Sequence, residues 1–234
     1  MTLEITGLQA GYRSGVAVVH DVGLSVSGGS AVGIIGRNGA GKTCLAQTVH
    51  GVLPTQVGTI VLDGVEVQGL SVRQRVRRGL ALVPEGRMIF AQLSVRENLE
   101  MAAYGANKPL GRAELDRVCE IFPLLRTKLD DRAGTMSGGE QQWLALGRAL
   151  VQQPSTIVLD EPSLGLSPVA ITGLGESLAV IRDQGVAIVL MEQNPHLLER
   201  LCNTVLLLDK GTFVRELDLV ASGRDVIEQA YLGA

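Results

Sequence analysis

Aromatic side chains are scarce: they make up 3% of the 234 residues, with one tryptophan, three tyrosines and three phenylalanines. That argues against a surface that stacks on the bases of single-stranded nucleic acid. Cationic excess is missing too. The net charge is -3 at pH 7, which gives no electrostatic footprint for DNA or RNA. Arginines cluster once, at Arg73, Arg75, Arg77 and Arg78, in the manner of a solvated helix face. Cysteine is limited to Cys44, Cys119 and Cys202, an odd number without metal-ligand spacing, so a reducing compartment is expected. No apolar run approaches the ~20 residues that span a bilayer. The start, Met1-Thr-Leu-Glu-Ile5, lacks the basic opening and apolar run of a secretory signal. Any membrane association is therefore expected to pass through a partner protein.

What is present is a globular composition, 46% hydrophobic and 19% charged. Residues 2–30 alternate apolar and polar with glycine breaks, as half-buried antiparallel strands do. Ala31-Val-Gly-Ile-Ile35 and Leu80-Ala-Leu-Val83 read as buried strands, and Gly58–Val67 as a hairpin turning at Asp63-Gly64. Helical spacing then dominates at 95–103, 112–122 and 139–151. Strand signals return at 156–159, 186–191 and 205–208, with a helix over 168–183. This alternation predicts an α/β fold with a mainly parallel core sheet, an N-terminal antiparallel β subdomain and an inserted helical subdomain. The expected division is one nucleotide-binding domain over 1–234. Its core and β subdomain take about 1–90 and 152–234, and the helical insert about 91–151.

Gly36-Arg-Asn-Gly-Ala-Gly-Lys-Thr43 fits the phosphate-loop pattern, with a strand before it and a helix from Lys42 to His50 after it. Glycines allow turns closed to other residues, and backbone N–H groups plus the helix start then face an anion. Gly36, Asn38, Gly39, Ala40, Gly41, Lys42, Thr43 and Cys44 are the expected nucleotide cradle. Lys42 suits the β- and γ-phosphates of ATP, and the Thr43 hydroxyl suits Mg²⁺. Cys44 sits near the positive helix end, where a thiol pKa can fall, although a small buried side chain is the plainer reading. Thr156-Ile-Val-Leu159 carries Asp160 and Glu161 to a strand end. Asp160 would hold Mg²⁺ through water, and Glu161 would polarise the attacking water.

Ser137-Gly-Gly-Glu-Gln-Gln142 opens a further helix. Ser137, Gly138 and Gly139 there read as a nest for a second anion, or as an ordinary N-cap. With the other two motifs, this segment resembles the signature of the ATP-binding-cassette family, close to L-S-G-G-Q, and the resemblance covers essentially the whole chain. The family implies a two-subunit sandwich, with ATP between the glycine loop of one copy and the Ser-Gly-Gly segment of the other. It also implies an aromatic residue on the adenine, and Tyr12 stands at the expected place.

The chain departs from the family pattern at three points. Glu85 stands where glutamine is usual, at a position expected to sense metal and γ-phosphate. Ser163-Leu-Gly-Leu166 replaces S-A-L-D. Gln193 replaces the switch histidine and offers a neutral hydrogen bond in place of a titratable ring. V-P-E-G-R, D-E-P-S-L-G-L and E-Q-N together resemble the LivF-type ATPases of branched-chain amino-acid importers, as does Ala230-Tyr-Leu-Gly233. Cys44, His50 and the run Gly211–Leu217 differ from that group. The resemblance implies a second ATPase subunit, non-identical or else a homodimer partner, two transmembrane permease subunits, an external solute-binding protein and a place on the cytoplasmic membrane face. Urea or amide import, and an ATP-binding regulatory cassette with weak hydrolysis, are the alternatives. Met88, Ile89 and Phe90 suit a coupling surface or a core equally.

Overall fold

A computed structural model describes residues 2–13, 15–222 and 226–227. Strands β1 (Thr2–Ala10), β2 (Val19–Ser27), β4 (Thr55–Leu62) and β5 (Val65–Glu66) form an antiparallel sheet in the order β2-β1-β4-β5. Asp63 and Gly64 close the β4–β5 hairpin with φ of 50° and 77°, the left-handed pair that two-residue hairpin turns require. The second sheet contains β3 (Ala31–Ile35), β6 (Leu80–Val83), β7 (Thr156–Asp160), β8 (Ala187–Glu192), β9 (Thr204–Asp209) and β10 (Thr212–Asp218). Its order is β10-β9-β3-β8-β7-β6, parallel throughout except for the antiparallel β10 edge.

Every residue of β3, β7 and β8 is buried, because this sheet is covered on both faces. Alternate side chains feed two cores. Val32, Ile34, Val158, Val189 and Met191 pack with the antiparallel sheet and helix α1 (Lys42–His50). Ile35, Ile157, Leu159, Ile188 and Leu190 pack on the opposite side. The helices there are α3 (Val95–Gly105), α4 (Arg112–Ile121), α5 (Pro123–Thr127), α6 (Gly138–Leu150), α7 (Pro168–Asp183) and α8 (Pro195–Leu201). Helices α3 to α6 fall between β6 and β7 in the chain. No helix among the described residues is long and apolar enough to cross a membrane.

The arginine cluster differs from its expected role. It lies on and just after a short helix, α2 (Val72–Arg77), and Arg73, Arg77 and Arg78 are exposed as expected. Arg75 is 1% exposed and no part of a solvated face. Its guanidinium donates to the carbonyls of Thr48 (2.8 Å), Val49 (2.6 Å), Gln68 (2.9 Å) and Leu70 (3.1 Å). The last carbonyls of a helix lack intrahelical partners, and the five-donor guanidinium fork supplies them at the end of α1. The Ala230–Gly233 motif lies outside the described residues.

Candidate functional site

Strand register builds the site. Ile35 pairs with Glu192 and Asp160 with Met191, so the ends of β3, β7 and β8 stand in one row. The segments that leave these ends are the glycine loop, Glu161 with its following turn, and Gln193. The loop turns back through left-handed Gly39 (φ 82°) and Gly41 (φ 113°), which sets the start of α1 against the strand end.

The Lys42 ammonium is 4% exposed and donates to the Gly36 carbonyl at 2.6 Å and the Arg37 carbonyl at 3.3 Å. It also lies 3.0 Å from Glu161 Oε1. The Gln193 amide donates to both Glu161 oxygens at 2.7 Å and to Asn38 Oδ1 at 2.8 Å. Glu161 itself has φ 48°, a conformation disfavoured for a residue with a Cβ, and its N–H donates to the Met191 carbonyl at 2.9 Å. Backbone outliers of this kind gather at sites where the surroundings impose them.

Asp160 is 2% exposed. Burial pushes its carboxyl up to about 6, with Glu85 and Glu161 adding to the rise and the Thr43 hydroxyl and Lys42 opposing it. Its Oδ1 is buried without a hydrogen-bond partner. A buried carboxylate oxygen left over beside a threonine hydroxyl is what a hard, oxygen-seeking cation such as Mg²⁺ would complete. The donor set therefore fits that metal.

A cavity of about 270 Å³ opens over the glycine loop, with Tyr12, Asn38, Gly39, Lys42, Thr43, Cys44, Glu85 and Glu161 on its walls. Tyr12 is 59% exposed there, so its ring has a free face. A larger cavity of about 600 Å³ lies on the other side of Thr43 and Glu85, with Asp160, His50, Met88 and Arg148 among its walls. Thr43 and Glu85 border both spaces. Met88 and Phe90 are exposed beside the larger one, and the Arg148 guanidinium lies 4.8 Å from the Phe90 ring centroid. Ile89 packs against the helical core instead.

Cys44 and the Ser-Gly-Gly segment each carried two readings in the sequence. The Cys44 thiol is 1% exposed, and burial raises its pKa, so the helix end does not make it a reactive thiolate. The Ser-Gly-Gly nest is also smaller than its residues suggest. Ser137 N–H donates to Glu140 Oε2 at 2.7 Å while Glu140 N–H donates back to Ser137 Oγ at 3.4 Å, a reciprocal cap. Only Gly138 and Gly139 therefore keep backbone donors at this helix start for an anion.

Arg87 and Glu192 went unassigned in the sequence. Arg87 and Met88 follow Gly86 in a left-handed run with φ of 66° and 46°. The Arg87 guanidinium packs so closely on Gly138 that an added Cβ there would stand 3.1 Å from Arg87 Nη2. Glu192 is 2% exposed and takes hydrogen bonds from Ser163 N–H (2.8 Å), Ser163 Oγ (2.9 Å), Gln193 N–H (3.2 Å) and Asn194 N–H (3.4 Å). The only sequence signal was its place inside E-Q-N.

Comparison with known proteins agrees with this geometry. Residues 19–164 match the family model described as ABC transporter. The high-affinity branched-chain amino acid transport ATP-binding protein BraG of Pseudomonas aeruginosa is 40% identical, over 95% of this chain and 96% of its own. The probable branched-chain amino acid transport ATP-binding protein LivF of Archaeoglobus fulgidus is 35% identical, over 82% and 81%. The lipopolysaccharide export system ATP-binding protein LptB of Escherichia coli K12 is 32% identical, over 91% and 89%. A solved ATP-binding subunit of an ABC transporter superposes with a TM-score of 0.80 at 28% identity, covering 98% of this chain and 93% of that one. The chain belongs to the ABC transporter family, as an ATPase subunit of the LivF type.

Proposed function

We propose that this ABC transporter ATPase powers the uptake of branched-chain amino acids. The observation that carries the solute class is the 40% identity with the branched-chain transport protein BraG, sustained over nearly the full length of both chains. The V-P-E-G-R, D-E-P-S-L-G-L and E-Q-N segments support it. The lipopolysaccharide-export relative is more distant, at 32%.

In this reading Gly36, Asn38, Gly39, Ala40, Gly41, Lys42, Thr43 and Cys44 wrap the phosphates of ATP, and Tyr12 covers the adenine. Thr43 and Asp160, with Glu85 facing them, would hold Mg²⁺, which would neutralise charge on the β- and γ-phosphates. Glu161 orients the attacking water and accepts its proton. Glu161 is held by Lys42 and Gln193. Phosphate competes for the Lys42 ammonium, and Gln193 follows the γ-phosphate with a neutral donor, which frees Glu161 for water. Ser137, Gly138 and Gly139 close on the nucleotide of a second ATPase subunit. That partner is non-identical, and the complex includes two transmembrane permease subunits and an external solute-binding protein at the cytoplasmic membrane face. Residues 1–234 act as one nucleotide-binding domain, with about 91–151 as its helical part.

The test is ATP hydrolysis by the purified chain, alone and with the partner ATPase, with Glu161→Gln as control, followed by leucine uptake into vesicles holding the complete transporter. Hydrolysis that rises with the partner, vanishes in the variant and drives leucine uptake is the expected result. Binding without hydrolysis above the control would make the chain a regulatory cassette. Hydrolysis that drives no branched-chain uptake would overturn the solute.

A further inference from the structure

The buried carboxylate of Glu192 has no place in the scheme above, although its neighbours do. It ends β8, one residue before Gln193, and its oxygens accept from Ser163, two residues after Glu161. The two loops that bring Gln193 and Glu161 to the phosphates come from different strands, β8 and β7, and β-ladder bonds stop at Asp160 and Met191. Beyond that pair the backbone link is Glu161 N–H to the Met191 carbonyl at 2.9 Å. Side-chain bonds then run from Gln193 to Glu161 at the tip and from Ser163 to Glu192 at the base.

We infer that Glu192 is a positioning residue for hydrolysis: its carboxylate ties the Glu161 loop to the Gln193 loop, so that both side chains meet the γ-phosphate in one fixed relation. The inference rests on the ATPase reading above. Every bond it uses to Glu192 comes from a donor: three backbone N–H groups and one hydroxyl. A carboxylate offers an acceptor to each of these donors, whereas a glutamine side chain turns one of the two positions into an NH₂, which faces either the Ser163 N–H or the N–H groups of Gln193 and Asn194. Loss of the charge therefore does more than weaken the bonds. It sets donor against donor inside a buried site, where an unsatisfied polar group is costly.

The link also bears on the Gln193 exchange. A neutral amide gains less from the γ-phosphate than a charged ring does. Its aim then depends more on how its backbone is held. Glu192 accepts from the N–H groups of Gln193 and Asn194 and so fixes that backbone on both sides of the amide-bearing residue. Nothing in this role needs Glu192 to touch ATP.

The test compares Glu192→Gln, Ser163→Ala and wild type in the assembled transporter. It measures kcat and KM for ATP hydrolysis, the affinity for a fluorescent ATP analogue, and the melting temperature. Hydrolysis is expressed per folded site and measured well below melting. We expect Glu192→Gln to lower kcat at least tenfold, with analogue affinity within threefold of wild type. Ser163→Ala, which removes one donor and leaves the carboxylate in place, should lower kcat about threefold. If Glu192→Gln does not assemble, Ser163→Ala decides alone. Unchanged kcat per folded site, even with a lower melting temperature, would reduce Glu192 to a stabilising group and overturn the inference. A parallel fall in affinity would overturn it too, by making Glu192 part of nucleotide binding. A wild-type complex no more active than Glu161→Gln would instead sink the ATPase reading on which this one stands.

Discussion

The phosphate-loop edge and the Ser-Gly-Gly segment both present backbone N–H groups at a helix start, yet they are built in opposite ways. At the loop edge the decisive bonds are long in sequence: Lys42 meets Glu161, Gln193 meets Asn38, and Glu192 meets Ser163. They depend on the register of β3, β7 and β8. At the signature segment the defining bonds close within three residues, between Ser137 and Glu140. The first region is a product of the whole sheet, and the second is a helix start with its own cap. A substitution in the first should therefore spread through several partners, while one in the second should stay local until a second subunit arrives.

The sharpest way to break this contrast is Glu161→Gln. We expect hydrolysis to fall by a factor of about 10²–10⁴, the range set by loss of a general base. ATP binding should persist, as equilibrium dialysis will show. Unchanged turnover would remove Glu161 from the chemistry. Lys42→Ala comes next: nucleotide affinity should drop by at least about tenfold, the scale of one lost charge-assisted hydrogen bond of 1.5–3 kcal/mol. Retained affinity would mean that the backbone cradle suffices.

A third test uses His50, at the far end of α1. Burial and the nearby Arg75 charge push its pKa down to about 4 from 6.5. The unfolded chain binds this proton more readily than the folded one between those values, so stability rises with pH from about 4 to 6.5 and is lost as pH falls. The full difference is on the order of 3 kcal/mol, less what remaining solvent contact screens. His50→Gln should flatten the denaturant midpoint against pH over that window, and an equally steep curve would assign the slope elsewhere. The smallest effect belongs to Ser137→Ala. Cap loss should cost about 1 kcal/mol in a melt, with ATP affinity of the single chain unchanged. Turnover with the partner subunit should fall, and a fall in single-chain affinity would erase the contrast between the two regions.

The same contrast explains what could be read from sequence. Helix α1 and strand β6 match their expected spans residue for residue, because a glycine loop or a bare apolar run marks them. Helix α7 does so through Ser167 and Pro168 at its start. The short α2 and the edge strand β10 carried no clear period; β10 is mostly exposed, with only Leu217 buried. Among site residues, the glycine loop and Asp160 with Glu161 were visible as contiguous motifs. Glu192 was not, because its meaning lies in Ser163, 29 residues away. For Cys44 the plainer reading, a buried side chain, holds: proximity to a helix start is a local cue, whereas burial is a property of the packed whole.

Arg75 extends that lesson into mechanics. Its guanidinium rivets the trailing end of α1 to α2 and to the strip from Gln68 to Leu70. A helix free at its back would absorb a tug at its front by sliding along its axis. Clamped this way, α1 is a strut with one end in the phosphate loop and the other tied through four carbonyls to α2 and the Gln68–Leu70 strip, and the larger cavity runs along it from Thr43 to His50.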